Sequence, residues 1–169
     1  MLFSDAYKGN TVLVTGHTGF KGSWLVLWLE ELGAQVFGYA LAPNTTPSHH
    51  ELLSLGTRDQ LADIRDHECV YRYVAEFGPE IVFHLAAQPL VRDSYDNPRE
   101  TLAINVLGTM AVYDACRRVD TVRAIVSITT DKVYKNREWD WGYREVDELG
   151  GHDPYSASKA CAELVSASY

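Results

Sequence analysis

Tyr155-Ser156-Ala157-Ser158-Lys159 sets a phenol and an ammonium four residues apart, which on a helix puts both on one face. A tyrosine of ordinary pKa, about 10, is a poor base near neutral pH, and a neighbouring cation stabilises its phenolate. The pair therefore suits removal of a proton from an alcohol while hydride leaves the alcohol's carbon. Alone, Tyr-x-x-x-Lys is a weak signal that any helix surface could carry, and what precedes it in the chain gives it weight. Far upstream, Thr15-Gly16-His17-Thr18-Gly19-Phe20-Lys21-Gly22 repeats glycine at three-residue intervals. Such glycines let backbone N–H groups and the positive end of a following helix approach a pyrophosphate. Packing would explain the glycines equally well, but a strand before them and a helix after them favour the nucleotide reading.

The elements that must position these residues follow from pattern. Thr11-Val12-Leu13-Val14-Thr15 is a short β-branched run stopped by Gly16, as a strand buried on both faces reads. A helix is expected over Phe20–Leu32, with Trp24, Leu25, Trp28 and Leu29 on its core face and Gly33 at its C-cap. Gln35–Leu41 reads as the second strand, and Asn44–Gly56 as a loop with a little helix. A short third strand over Asp59–Ala62, a helix over Asp66–Phe77 and a strand over Glu80–Leu85 come next. Pro98–Val119 is an amphipathic, proline-initiated helix, Val122–Thr129 a fifth strand, and Asp153–Tyr169 a last helix. This alternation predicts an α/β fold, a doubly wound parallel sheet of Rossmann type. The chain stops before the strand that would close a second half. The 1–169 span is therefore expected to be an incomplete dinucleotide-binding domain, truncated before a C-terminal substrate domain and inactive alone.

Composition narrows the partners. The 15 basic and 23 acidic residues of the 169 leave a formal charge of -8, which repels nucleic acids and anionic membranes. Cys69, Cys116 and Cys161 lie far apart without CxxC spacing, so neither a disulfide framework nor a metal site is expected, and they read as packing residues. The opening Met1-Leu2-Phe3-Ser4-Asp5 lacks a signal-peptide pattern, and a cytoplasmic location is expected. Where a second Rossmann strand often ends in Asp or Glu to hold a ribose, this one ends Tyr39-Ala40-Leu41. No Arg or Lys stands there either, so NAD is favoured over NADP. Asp63-Ile64 is a candidate for the adenine edge, although Asp at a loop opening is commonly a turn residue. His17, Lys21, His49 and His50 read as solvated, with only the first two near the phosphates.

The glycine turn, Asp63-Ile64-Arg65, His84-Leu85-Ala86-Ala87-Gln88, Asn105-Val106-Leu107-Gly108-Thr109 and Tyr155 to Lys159 together resemble the extended short-chain dehydrogenases over essentially the whole chain. Thr129-Thr130-Asp131-Lys132-Val133-Tyr134 is similar to the Thr-Asp-Glu segment of their nucleotide-sugar 4,6-dehydratases, with lysine for glutamate. That lysine, Gly19 to Leu25 and Trp141-Gly142-Tyr143-Arg144-Glu145 resemble the CDP-glucose branch more closely.

The resemblance implies internally recycled NAD, a CDP-glucose substrate and a homo-oligomer at full length. It implies a cofactor shell of Gly16, His17, Thr18, Gly19, Phe20, Gly22, Asp63, Ile64, Leu85, Ala86, Ala87, Tyr155 and Lys159. Tyr155 would take the O4 proton, Lys159 hold the nicotinamide ribose and lower the tyrosine's pKa, and Thr130 bond near O4. Asp131 would be the acid for the departing C6 hydroxyl, and Lys132 would occupy the place of the C5 base. Asn105 is expected to brace the active-site strand. An epimerase or dTDP-sugar dehydratase, or a non-catalytic dinucleotide-binding module, are the competing readings. Asp131-Lys132 speaks against a simple epimerase, and retention of Tyr155, Lys159 and Asp131 speaks against the module.

Overall fold

A computed structural model describes residues 2–169; Met1, the first residue of the N-terminal segment read above, lies outside them. Five strands, β1 (Thr11–Thr15), β2 (Gln35–Ala40), β3 (Arg58–Leu61), β4 (Ile81–His84) and β5 (Ala124–Ser127), form one sheet in the order β3-β2-β1-β4-β5. Every pairing is parallel, and Thr15 stands in register with Tyr39 on one side and His84 on the other. The expected Rossmann architecture is therefore present. The strand order reverses direction between β1 and β4, which places a crevice at their carboxyl ends.

Central β1 is buried on both faces, as its unbroken apolar run predicts. Leu13 joins Tyr39, Val74, Val82 and Val112 in one core, under α3 (His67–Phe77) and α6 (Gly108–Cys116). Val12 and Val14 point to the other face, into a core with Val26, Leu29 and Val36 under α1 (Phe20–Glu31). Removing each such valine from water contributes roughly 1.5–3 kcal/mol.

Gly33 closes α1 where expected, with the Ala34 N–H reaching the Leu29 carbonyl at 3.0 Å. The face that α1 buries differs from the expected one. Gly22, Ser23, Val26 and Leu29 face the sheet, whereas Trp24 and Trp28 are half exposed. Small residues let the helix sit close to the strands, and the indoles lie on its flank, Trp24 against His49 and Trp28 against Phe3.

Inside the Asn44–Gly56 loop lies α2 (His49–Leu53), started by a reciprocal capping box between Ser48 and Glu51. Val91–Asp96, not foreseen, forms α4. The long helix expected from Pro98 is broken into α5 (Pro98–Leu102), a π-type turn at Ala103–Leu107 and α6. The last helix, α7 (Pro154–Ser168), begins at Asp153, whose carboxylate accepts the Ser156 N–H at 2.9 Å.

Gly38 in β2 lies directly under the His17 ring, where an added Cβ would stand 2.6 Å from it. His17 is wholly buried and has no room to swing aside. Gly38→Ala should therefore cost about 1–3 kcal/mol in urea unfolding, and most of that cost should vanish in a His17→Ala background. Effects that add to within about 0.5 kcal/mol would mean the ring is not the obstacle.

Candidate active site

The glycine turn joins β1 to α1 with its backbone stripped bare. Gly16 takes a φ of +74°, and an added Cβ there would meet the Ala86 nitrogen at 2.8 Å, so the exits of β1 and β4 touch. A Cβ on Gly22 would stand 2.1 Å from the Gly16 carbonyl oxygen. Thr18 donates to the Leu41 carbonyl at 2.8 Å, tying the turn to the end of β2. The opening N–H groups of α1 have no acceptor within the helix, as in any first turn, and gather beside these glycines. Phe20 is exposed, and Leu85, Ala86 and Ala87 lie half-buried across the crevice.

A buried polar chain fixes the two strand ends. The Leu85 and Ala86 N–H groups both donate to Thr15 Oγ1 at 3.1 Å, so its own proton goes to His84 Nδ1, 2.8 Å away. Thr109 Oγ1 donates to the Asn105 carbonyl at 2.7 Å and accepts from His84 Nε2–H at 3.0 Å. This order requires a neutral imidazole, and burial with the nearby Lys159 pushes the His84 pKa down to about 3. Asn105, in the π-type turn, accepts the Gln88 N–H at 2.8 Å and donates to the Gln88 carbonyl at 3.1 Å and Ser158 Oγ at 2.8 Å. Ser158 in turn donates to the Tyr155 carbonyl at 2.7 Å. Asn105 thus braces the strand end, as expected, and carries that bracing to the tyrosine.

The half-buried Tyr155 stands beside the end of β5. Burial raises its pKa above the ordinary value, Asp153 and Asp131 act in the same direction, and the hydroxyl of Thr130 pulls it back. The lowering expected from Lys159 is not what the pair shows. Lys159 donates instead to the Ile128 carbonyl at 2.8 Å, and burial brings its own pKa down to about 8. Thr130 caps a short 3-10 turn over Asp131–Val133 and bonds Asp131 at 3.1 Å. Asp131 and Lys132 are both exposed. Lys132 lies near enough to Asp153 to help depress its pKa, a smaller contribution than the bonds from Ser156, which outweigh the opposing effect of burial. Thr130, Asp131, Tyr155 and Lys159 therefore meet at one place, with Lys132 on its rim.

Other expected site residues sit differently. The Asp63 carboxylate is engaged by the Arg65 N–H and guanidinium, which hold its pKa down, and Arg65 also bonds Glu100 at 2.8 Å. Ile64 is a core residue whose side chain packs beneath Gly108, so only its backbone faces outward. His17 is not solvated. Its ring is fully buried, 3.1 Å from Asp59 and edge-on to His50 at 5.2 Å, and the turn presents only its backbone. Burial keeps His17 below the usual histidine pKa. The reasoning from sequence passed over Ser158, Thr109 and Asp59. A lone polar His84 in a strand buried on both faces hinted at the first network, whereas nothing near Asp59 in sequence points to His17.

A family profile described as GDP-mannose 4,6 dehydratase matches residues 13–169. Salmonella typhimurium CDP-glucose 4,6-dehydratase is 53% identical over 171 residues, covering 100% of this chain and 48% of the relative. Among solved structures, the epimerase Mth375 of Methanothermobacter thermautotrophicus superposes with a TM-score of 0.84 at 31% identity, over 96% of this chain and 48% of that one. UDP-glucose 4-epimerase of Thermus thermophilus, in complex with NAD, gives 0.82 at 31% identity, over 94% and 50%. The chain spans about half the length of the curated relatives it matches.

Lys159 gives a measurable signature. Below about pH 8 it is charged in both folded and unfolded chains and its burial cost is complete. Between 8 and the unperturbed 10.5 the unfolded chain keeps the proton that the folded chain has released, so stability rises with pH. Relative to Lys159→Met, the native protein should gain on the order of 2 kcal/mol between pH 7 and 10 in denaturant titrations. A difference that stays flat over that range would remove the buried-cation account.

Proposed function

The chain belongs to the GDP-mannose 4,6 dehydratase family, and from that premise we propose that residues 1–169 are the NAD-binding part of a nucleotide-sugar 4,6-dehydratase acting on CDP-glucose. The observation that carries the reading is the meeting of Thr130 and Asp131 with the Tyr155 phenol at the head of α7. An enzyme that only oxidises and re-reduces C4 needs the tyrosine and lysine alone. A carboxyl group beside them serves a reaction that must also expel a hydroxyl. The 53% identity to a CDP-glucose enzyme supports the substrate.

The turn fits a dinucleotide, because Cβ atoms at Gly16 and Gly22 would strike backbone where the pyrophosphate must approach. Gly16, Thr18, Gly19, Phe20 and Gly22, with the His17 backbone, would hold the phosphates. Asp63 and the Ile64 backbone would border the adenine, Leu85 to Ala87 would line the crevice, and Lys159 would hold the nicotinamide ribose. Bound NAD supplies a hydride acceptor at sugar C4 and returns the hydride at C6.

The remaining steps belong to the side chains. Tyr155 takes the O4 proton, with Thr130 bonding the same oxygen. The ketone formed at C4 acidifies C5, and Lys132 draws that proton away. Asp131 protonates the C6 hydroxyl, which departs as water, and the product is the 4-keto-6-deoxy sugar. Contacts to the nucleotide base would lie in a sugar-nucleotide domain beyond these 169 residues, without which they would not turn over substrate. No helix among the described residues is long and apolar enough to cross a membrane. With a charge of -8, this supports a cytoplasmic enzyme. Exposed Leu107 and Met110 beside α6, with Leu164 on α7, support assembly as a homo-oligomer.

Calorimetric titration should show tighter binding of NAD than of NADP, and Gly19→Val should abolish it; preference for NADP would refute the cofactor assignment. In the protein at the length of its relatives, supplied with CDP-glucose, Lys132→Ala should accumulate NADH absorbance and lose C5 solvent-deuterium exchange. Tyr155→Phe should fail at the first hydride transfer. Near-normal turnover and exchange in Lys132→Ala would leave that lysine a charge partner and place the C5 base elsewhere.

A further inference from the structure

Among the described residues, two buried side-chain polar atoms lack a hydrogen-bond partner, and they are His17 Nδ1 and His50 Nδ1. Such orphans are rare because each forfeits its bonds to water, and an ion is one of the few things that offsets the loss. Both belong to one cluster. His17 stands in the glycine turn, His50 in α2 and Asp59 in β3, and one donor atom from each lies within 4.8 Å of the other two. Spacings of 33 and 9 residues hide the group from any sequence motif, and only the folding of α2 over the β2–β3 side of the sheet assembles it.

We propose that His17, His50 and Asp59 form a site for one divalent transition ion of the zinc class. Zinc takes imidazole nitrogen at about 2.0–2.1 Å and carboxylate oxygen at about 2.0–2.2 Å, so two ligands of one tetrahedral ion stand about 3.3 Å apart. His17 Nε2 and Asp59 Oδ2 are 3.1 Å apart, close to that separation. His50 supplies the third donor from a helix of five residues, none of them buried, which can move toward the ion without disturbing the core. The mixture of two imidazoles and one carboxylate suits zinc, cobalt or nickel rather than magnesium or calcium, which seek oxygen. The Asp59 side chain keeps 33% exposure while that of His17 has none, so an ion would enter along the aspartate and keep a fourth position for water. Bound there, it would tie the turn between β1 and α1 to β3 and α2. The site rests on these side chains alone and stands or falls independently of the dehydratase reading.

The protein, stripped with a chelator and dialysed free of it, is titrated with Co2+ while visible absorption is followed. One equivalent should produce a saturating d–d band, and Zn2+ should remove it. Asp59→Asn and His50→Ala should each weaken binding at least tenfold. His67→Ala, at an exposed histidine on α3, should leave it unchanged. Zn2+ at a hundredfold excess over its dissociation constant should raise the melting temperature of the native protein by about 5–10 °C. The isosteric Asp59→Asn change keeps the test valid if His50→Ala folds poorly. No saturable band, or equal affinity in Asp59→Asn and the native protein, would overturn the proposal and leave His17–Asp59 as a plain hydrogen bond with water at the two free nitrogens.

Discussion

Everything near the crevice depends on a neutral imidazole at position 84. The chain of donors from Thr15 through His84 and Thr109 to the Asn105 carbonyl runs in one direction only, and a second proton on the ring would leave two N–H groups facing hydroxyls already committed elsewhere. Desolvation alone is enough to keep the ring neutral. Because Thr15 also accepts two backbone N–H groups from the exit of β4, the chain sets the separation of the strand ends between which a dinucleotide would lie. Asn105 passes the constraint to Ser158 and so to the tyrosine's helix. A buried polar network of this kind specifies one arrangement of strands and helices where apolar packing alone would tolerate several.

The sequence was legible where chemistry and period coincide. Glycine spacing after a β-branched run, proline and aspartate at helix starts, and the Tyr155–Lys159 interval each declare a local geometry, and that geometry is present. What was not legible depended on neighbours distant along the chain. Trp24 and Trp28 satisfied the helical period of a core face, yet the sheet preferred Gly22, Ser23 and Val26 because small side chains allow a closer approach. His17 looked like a loop histidine until β3 and α2 closed over it. The electrostatics of Tyr155 were misjudged for a related reason. Spacing places a lysine on the same face but says nothing of burial, which here outweighs charge for both members of the pair.

The two sides of the crevice differ in how they are held. Thr15, Asn105 and Ser158 are almost wholly buried, and their partners are all internal. Asp131 and Lys132 are exposed on a three-residue turn, anchored by the Thr130 cap and by Val133 beneath. A rigid frame carrying a few open side chains is what a reaction with several successive proton transfers asks for, since the frame sets distances while the exposed groups exchange protons with water.

The π-type turn at Ala103–Leu107 has a consequence for how such a chain can tolerate change. One more residue per turn than an α-helix amounts to a single insertion absorbed without breaking the helix. Removing any one residue there would restore regular pitch and rotate all that follows by about 100°. Thr109, Val112 and Cys116 would leave their present faces together, and with Thr109 would go the acceptor for His84. Length within these five residues is thus fixed more tightly than identity, so that conservative replacement of Val106 is a local matter whereas its deletion is a change of phase for an entire helix.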